Sequence, residues 1–250
     1  MEETFQNFIE DLIAKRISGD IVYNRNPNVG LKKWREYFEV SQLEVANVMG
    51  VSASVISDYE KGRRKPGVNF IKRFVKALLV IDYQKGWKKV DSLSKALGIP
   101  RGAVIDMMEF NEPLSIADLI ELVDGILLTP DYSNEIKAYG YTLIDSIRAI
   151  AKLSGPQFYF LLGSTPERAI VFSNVTAGRS PMVAVRVSLV KPRIIIIHGP
   201  RRYIDSFAIE LARLEGVSLI LSLVKDIDQL IKRLRSKISS EDSNFLTVLE

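Results

Sequence analysis

Lys61, Arg63, Arg64 and Lys65 place four cations in five consecutive positions just before Pro66. Such a cluster can neutralise the phosphates of a polyanion, and would then set affinity and its dependence on salt. A solvated basic face is the alternative reading of the same residues. Their surroundings bear on the choice: residues 30–90 carry 13 Lys/Arg against 6 Asp/Glu, whereas the whole chain is only +4, so the remainder is slightly acidic. A basic segment on a near-neutral chain is the electrostatic footprint of a polyanion partner. Charge alone does not decide between the two readings.

A second set of residues lies in the other half. Gly163-Ser164-Thr165 and Gly178-Arg179-Ser180 could offer backbone amides and a guanidinium to an anion such as phosphate. Ser173, Asn174 and His198 end expected strands, and ligands of open α/β sheets bind beyond the carboxyl ends of strands. Ser164, Thr165, Ser173, Asn174, Arg179, Ser180 and His198 therefore mark a candidate site for a small anionic effector. Equally, Gly, Ser, Thr and Pro are what strand connections are made of.

Other chemistry is poorly supplied. The absence of cysteine excludes disulfides, thiolate metal sites and a cysteine nucleophile. With His198 as the one histidine, a zinc or iron site would have to be almost all carboxylate, and no metal or cofactor is expected. Neither a GxGxxG fingerprint nor a P-loop is present. A lone His198 without a visible nucleophile does not make a catalytic centre, so the chain is not read as an enzyme.

The elements that must position these residues follow from periodicity and punctuation. At 250 residues and 47% hydrophobic, the chain is long enough for two domains. No apolar run reaches the roughly 18 residues of a membrane span, and the start, MEETF, lacks the features of a signal peptide. No membrane association and a cytoplasmic location are expected. Phe5, Phe8, Ile9, Leu12, Ile13 and Ile17 repeat at helical steps, so 1–28 reads as an amphipathic helix and a turn-rich break around Pro27. Helical patterns fill 29–90, Gly86-Trp87-Lys88-Lys89 looks like a connector, 91–129 reads as helical, and 133–153 as a long helix. Then the texture changes: 158–162, 169–173, 182–190, 193–198 and 217–222 read as strands, with helices at 204–214 and 227–234. The expectation is α+β overall: an all-α N-terminal domain (29–90), a helical connector (91–129), an α/β domain with a mixed sheet (130–238), and a polar tail (239–250).

Within the basic segment, residues 41–67 read SQLEVANVMGVSASVISDYEKGRRKPG. Ser41 can cap a helix, with Glu44 three positions on completing a capping box. Leu43, Ala46 and Met49 share a face, and Gly50 can take the left-handed conformation that ends the helix. Val51 plugs the core, Ser52 caps a second helix to about Lys61 with Val55, Ile56 and Tyr59 inward, and Gly62 stops it. Two short helices joined by so tight a turn fit a helix-turn-helix.

Over about residues 29–82 the chain resembles the Cro/C1 (XRE) family of helix-turn-helix regulators, and the SDYEKGRRKPG string, with Arg63, Arg64 and Lys65 before Pro66, is similar to the archaeal version. The resemblance implies a five-helix module that binds double-stranded DNA, with its third helix in the major groove. It implies that Gln42 holds a phosphate and steadies the recognition helix, and that Arg35 and Glu60 form a buried structural ion pair. The exposed reading positions are then Ser52, Ala53, Ser54 and Ser57, with Asp58 and Lys61 further along the helix and Arg63, Arg64 and Lys65 on phosphates. None of the early ones is an Arg, Asn or Gln able to make a bidentate base contact, so direct readout should be modest and DNA shape should contribute.

Residues 93–109 echo the same motif, with Gly98 laid on Gly50, Val104 on Ile56, Asp106 on Asp58 and Arg101 on Ala53. The echo is either a decayed second helix-turn-helix or ordinary helical packing, and the acidic run after it argues against a second DNA surface. A transcriptional regulator acting as a homodimer on operator DNA, its C-terminal domain dimerising or sensing an effector, is the expected function. A DNA-binding co-activator working through protein contacts, or a helix-turn-helix fused to a residual small-molecule enzyme, is the alternative.

Overall fold

The computed structural model describes residues 2–96, 103–129, 135–163, 167–200 and 203–238. The chain forms two compact units, residues 6–97 and residues 98–250 with 1–5. Among the described residues no helix is long and apolar enough to cross a membrane.

The first unit is all helical: α1 (Glu2–Val22), α2 (Pro27–Tyr37), α3 (Gln42–Met49), α4 (Ala53–Glu60), α5 (Val68–Gln84) and α6 (Lys88–Ala96). Ile9, Ile13, Ile17 and Ile21, spaced by four along α1, are all buried. α1 meets α2 closely, since a Cβ on Gly30 would lie 3.2 Å from the Ile21 Cα. Asp20 at that crossing accepts from Trp34 Nε1 at 2.7 Å and Lys33 Nζ at 2.8 Å, and these bonds lower its pKa. Pro27 does not end a break but opens α2, at the first-turn position where its missing N–H costs nothing. The core joins Leu31 and Trp34 to Val45, Ala46, Met49, Ile56, Ile71, Phe74 and Leu78.

The second unit holds a six-stranded mixed sheet of order β1-β3-β4-β5-β6-β2: β1 (Val104–Ser115), β2 (Gly125–Leu127), β3 (Lys137–Asp145), β4 (Arg168–Ser173), β5 (Ile194–His198) and β6 (Ser218–Ser222). β3 to β6 are parallel and consecutive, flanked by antiparallel β1 and β2. Its helices are α7 (Ile116–Leu122), α8 (Ser146–Lys152), α9 (Gly155–Gly163), α10 (Arg179–Val187), α11 (Ser206–Leu214) and α12 (Ile227–Arg235). One sheet face packs Tyr141, Leu143, Val171, Ile196 and Ile220 against Ile116 and Leu119 of α7 and Leu230 and Leu234 of α12. The alternate set, Ile144, Ile170, Phe172, Ile195, Ile197 and Leu219, is buried too. Crossovers between neighbouring parallel strands share one hand, which puts α8 to α11 together on this other face.

Two ionic ties close the β1 edge. Arg235 of α12 grips Asp106 of β1 through Nε at 2.9 Å and Nη2 at 3.1 Å, and Tyr141 donates its hydroxyl to the same carboxylate at 2.6 Å. Burial beside that carboxylate pushes the Tyr141 phenol far up. Arg168 reaches Glu109 across Gly140, where a Cβ would stand 2.4 Å from the Met108 carbonyl oxygen.

Several expectations for this half are corrected. The 91–129 segment is not a helical connector: after α6 it holds β1, α7 and β2. Apolar residues in β1 fit a helical step as well as a strand step, and pairing with β3 decides. The echo at 93–109 is therefore no second helix-turn-helix, since Val104 and Asp106 lie in β1; Arg101 lies outside the described residues. The expected helix at 133–153 is β3 followed by α8, because a strand buried on both faces shows no alternation. The expected strands at 158–162 and 182–190 are α9 and α10. The alternating valines of 183–187 imitate a strand, but joining parallel β4 to β5 needs a crossover, and α10 supplies it. The strands near 169–173, 193–198 and 217–222 and the helices near 204–214 and 227–234 are present. The 239–250 tail lies outside the described residues.

Candidate nucleic-acid interface

α3 starts where its cap places it. Ser41 Oγ accepts from the Glu44 amide at 3.1 Å while the Glu44 carboxylate accepts from the Ser41 amide at 2.7 Å, the reciprocal capping box. Those bonds, with one from Lys85 Nζ at 2.9 Å, lower the Glu44 pKa to about 2. α3 ends at Gly50, φ 64°, whose amide turns back on Ala46 and Asn47. Val45, Ala46 and Met49 face inward, whereas Leu43, placed on the same face by spacing, is exposed.

α4 begins one residue after Ser52. Ser52 occupies the cap position, yet its hydroxyl makes no capping bond and instead pairs with the Ser54 hydroxyl at 2.8 Å. The first amides of α4 are thus uncapped by that side chain, which corrects the capping role expected for Ser52. Ile56 is buried, Val55 is half-buried, and Tyr59 stacks on Phe70 of α5 with centroids 3.7 Å apart. Ser54 is exposed, with Ala53 and Ser57 half-buried beside it.

The far end of α4 is locked to the rest. Arg35 on α2 binds Glu60 with Nε to Oε1 at 2.6 Å and Nη2 to Oε2 at 2.9 Å, and its Nη1 donates to the Val40 carbonyl at 2.9 Å. Gln42 Nε2 adds a third side-chain bond to Glu60, at 2.8 Å. Gln42 is therefore turned onto α4 rather than left free, and the Glu60 hydrogen bond raises the Arg35 pKa. Gly62, φ 74°, follows α4 where a Cβ would come within 3.1 Å of Asn28 Nδ2.

Beyond this lock lie the cations. Lys61, Arg63, Arg64 and Lys65 are all exposed. Asp58, on α4, faces two of them: Arg63 Nη1 at 3.2 Å and Arg64 Nε at 3.8 Å. This tether was not anticipated, because the sequence places Asp58 on the exposed side of the helix without showing where the two guanidinium groups fold.

In the other unit, Ser173, Asn174 and His198 do end neighbouring strands. Their polar groups are engaged locally: Ser173 Oγ donates to the Ile144 carbonyl at 3.0 Å, and Asn174 Nδ2 to Asp145 at 3.0 Å. Asp145 ends β3 and caps α8. Arg179 is not aimed at these residues; its Nε binds Asp205 at 2.7 Å, which lowers the Asp205 pKa. Ser180 lies in the first turn of α10. Ser164 and Thr165 lie outside the described residues. Beyond the carboxyl ends of β5 and β6 a cavity of about 290 Å³ is lined by His198, Gly199, Tyr203, Ile204, Leu221 and Ser222, among others. Tyr203 and Ser222, not singled out by motif, are found only through the fold.

A family model described as helix-turn-helix matches residues 31–80. An uncharacterized HTH-type transcriptional regulator of Methanocaldococcus jannaschii is 44% identical over 226 residues, covering 89% of this chain and 93% of that protein. A similarly described protein of Archaeoglobus fulgidus is 41% identical over 228 residues, covering 91% and 98%. No solved structure matches.

Proposed function

This chain belongs to the helix-turn-helix transcriptional regulators, and from that membership we propose that it binds operator DNA as a homodimer. α4 enters the major groove, with Ser54 and Ser57 at the base edges and Ala53 able to touch a thymine methyl. Arg63, Arg64, Lys61 and Lys65 take the flanking phosphates. Ser52, with its hydroxyl on Ser54, presents the α4 amides to a further phosphate. Gln42 acts mainly by holding Glu60, and Arg35 with Glu60 is frame rather than contact.

The observation that carries this reading is the convergence of Arg35 and Gln42 on Glu60, which fixes α4 against α2 and α3 while its other end and the following cations stay exposed. A single α4 spans a few base pairs, so two copies spaced about 34 Å apart supply the rest of the site. Salt-dependent gel shifts on genomic fragments test the reading: a defined two-fold footprint is expected, and sequence-blind binding would support a co-activator instead. The protein works in the cytoplasm, residues 29–90 reading DNA and the sheet unit dimerising.

A second role for the sheet unit is favoured by the cavity beside His198 and Ser222. It lies beyond the carboxyl ends of strands, where α/β folds hold ligands, and a small effector fits there. An anion drawn by Arg179 would first have to displace Asp205. Thermal shifts with candidate effectors, in the protein and in Ser222→Leu, test this role; equal shifts in both would refute it.

A further inference from the structure

We propose that the outer face of α8 and α10 is the surface through which two copies of this chain associate; this rests on the homodimer reading above and gives that dimer its interface. Ile147 and Ile150 on α8 are 61% and 63% exposed, Val183 and Val187 on α10 are 43% and 76% exposed, and Leu189 just beyond is 85% exposed. Ile150 and Val187 line one groove of about 370 Å³ with Leu153, Phe158 and Ala184. Ile147 and Val183 each lie one helical turn before them, so the apolar stripe continues along both helices. α10 is apolar on two sides, for Met182 and Val185 are buried on its other face. Scattered exposed aliphatics are ordinary, but a contiguous patch of them marks an interaction site.

Charge selects the occupant. Three of the cations beside this face are matched within the chain: Arg148 with Asp145 at 3.4 Å, Arg186 with Glu215, and Lys191 with Glu215 at 3.0 Å. A partner recognised by its acidity would find those cations already taken. A two-fold copy brings the same surface against itself, which is tolerable only where like charges are quenched beforehand. Lys152, exposed and without a partner among the described residues, fits a hydrated rim.

The test is sedimentation and light scattering on the full chain. The wild type should be a dimer. Combining Ile150→Asp with Val187→Asp should weaken the dimer at least 100-fold, while Ile126→Asp on β2, also exposed, should leave it intact. Should the double variant fail to fold, Leu189→Asp, at the most exposed position, takes its place. Val187→Cys adds an independent readout, since the chain has no other thiol, and a short bismaleimide should then cross-link it into covalent dimers. A wild-type dimer that survives these substitutions and gives no cross-link overturns the interface while leaving the dimer standing. A wild type that is monomeric both free and on DNA overturns the dimer reading, and the interface with it.

Discussion

Arg35 and Glu60, 25 residues apart in the chain, meet in a two-pronged ion pair, 2.6 and 2.9 Å, that joins α2 to α4. Their side chains are only 12% and 3% exposed. Removing one partner leaves a buried charge unmatched, and such losses cost about 3–5 kcal/mol. Glu60→Ala should therefore destabilise the helical unit by about 3 kcal/mol in urea melts and abolish specific DNA binding. Gln42→Ala, which removes a single bond to the same carboxylate, should cost about 1.5 kcal/mol, the low end for a hydrogen bond to a charged group.

If Arg63 and Arg64 take phosphates as proposed, Asp58, which already holds both, competes with DNA for them. Replacing both arginines by Ala should weaken binding to every sequence and flatten the slope of log K against log salt by about 1.8, near 0.9 per phosphate contact. Asp58→Asn removes the competitor and a negative charge facing phosphates, so affinity should rise roughly 3- to 10-fold without regard to sequence, by the electrostatic arithmetic of one lost repulsive charge. Titrations at several salt concentrations check both. Unchanged affinity in the double arginine variant would exclude these residues from phosphate contact.

Glu10 gives the helical unit a pH dependence. It is fully buried, neither carboxylate oxygen has a hydrogen-bond partner among the described residues, and burial raises its pKa from 4.5 to about 8. Between pH 4.5 and 8 the folded chain keeps a proton that the unfolded chain has lost, so stability falls as pH rises through that window. Glu10→Gln should remove the fall. At pH 8 the variant should be more stable than wild type by about 2 kcal/mol or more, because it stays neutral without having to bind a proton, and close to it at pH 4.5. Thermal melts across this range provide the comparison.

Asp106 is the anchor of the sheet unit's β1 edge. Arg235→Leu would leave its carboxylate buried with Tyr141 as its remaining side-chain partner, and should cost about 3 kcal/mol. Tyr141→Phe should cost about 1.5–3 kcal/mol, the worth of a hydrogen bond to a charged group. Denaturant melts of the two variants should keep that order; equal small losses would show that the pair does not hold β1 to α12.

Much of the helical unit was legible because its signals are local. The Ser41–Glu44 box, Gly50 and Gly62 punctuate α3 and α4 within a few residues, and each cap names its own helix end. The partnership of Arg35 with Glu60 was legible only through family resemblance, since nothing in the spacing of 35 and 60 requires contact. The sheet was harder for a physical reason. From Gly140 on, β3 is buried on both faces, so its residues do not alternate there, and the alternating valines of α10 mimic a strand. Ties such as Asp106 to Arg235, 129 residues apart, exist only once the sheet has brought their elements together. The same holds for the cavity residues Tyr203 and Ser222. Helical spacing puts Asp58 on the outer side of α4, but its hold on Arg63 and Arg64 depends on side-chain paths that spacing does not record.

Two copies of α4 reading one DNA site would leave a footprint that a single copy cannot. Footprinting the purified full chain on its genomic binding fragments tests this most directly. A two-fold symmetric protected region is expected, with half-sites about one helical turn, roughly 34 Å, or a multiple of it apart. A single unpaired half-site, or protection that ignores sequence, would contradict it.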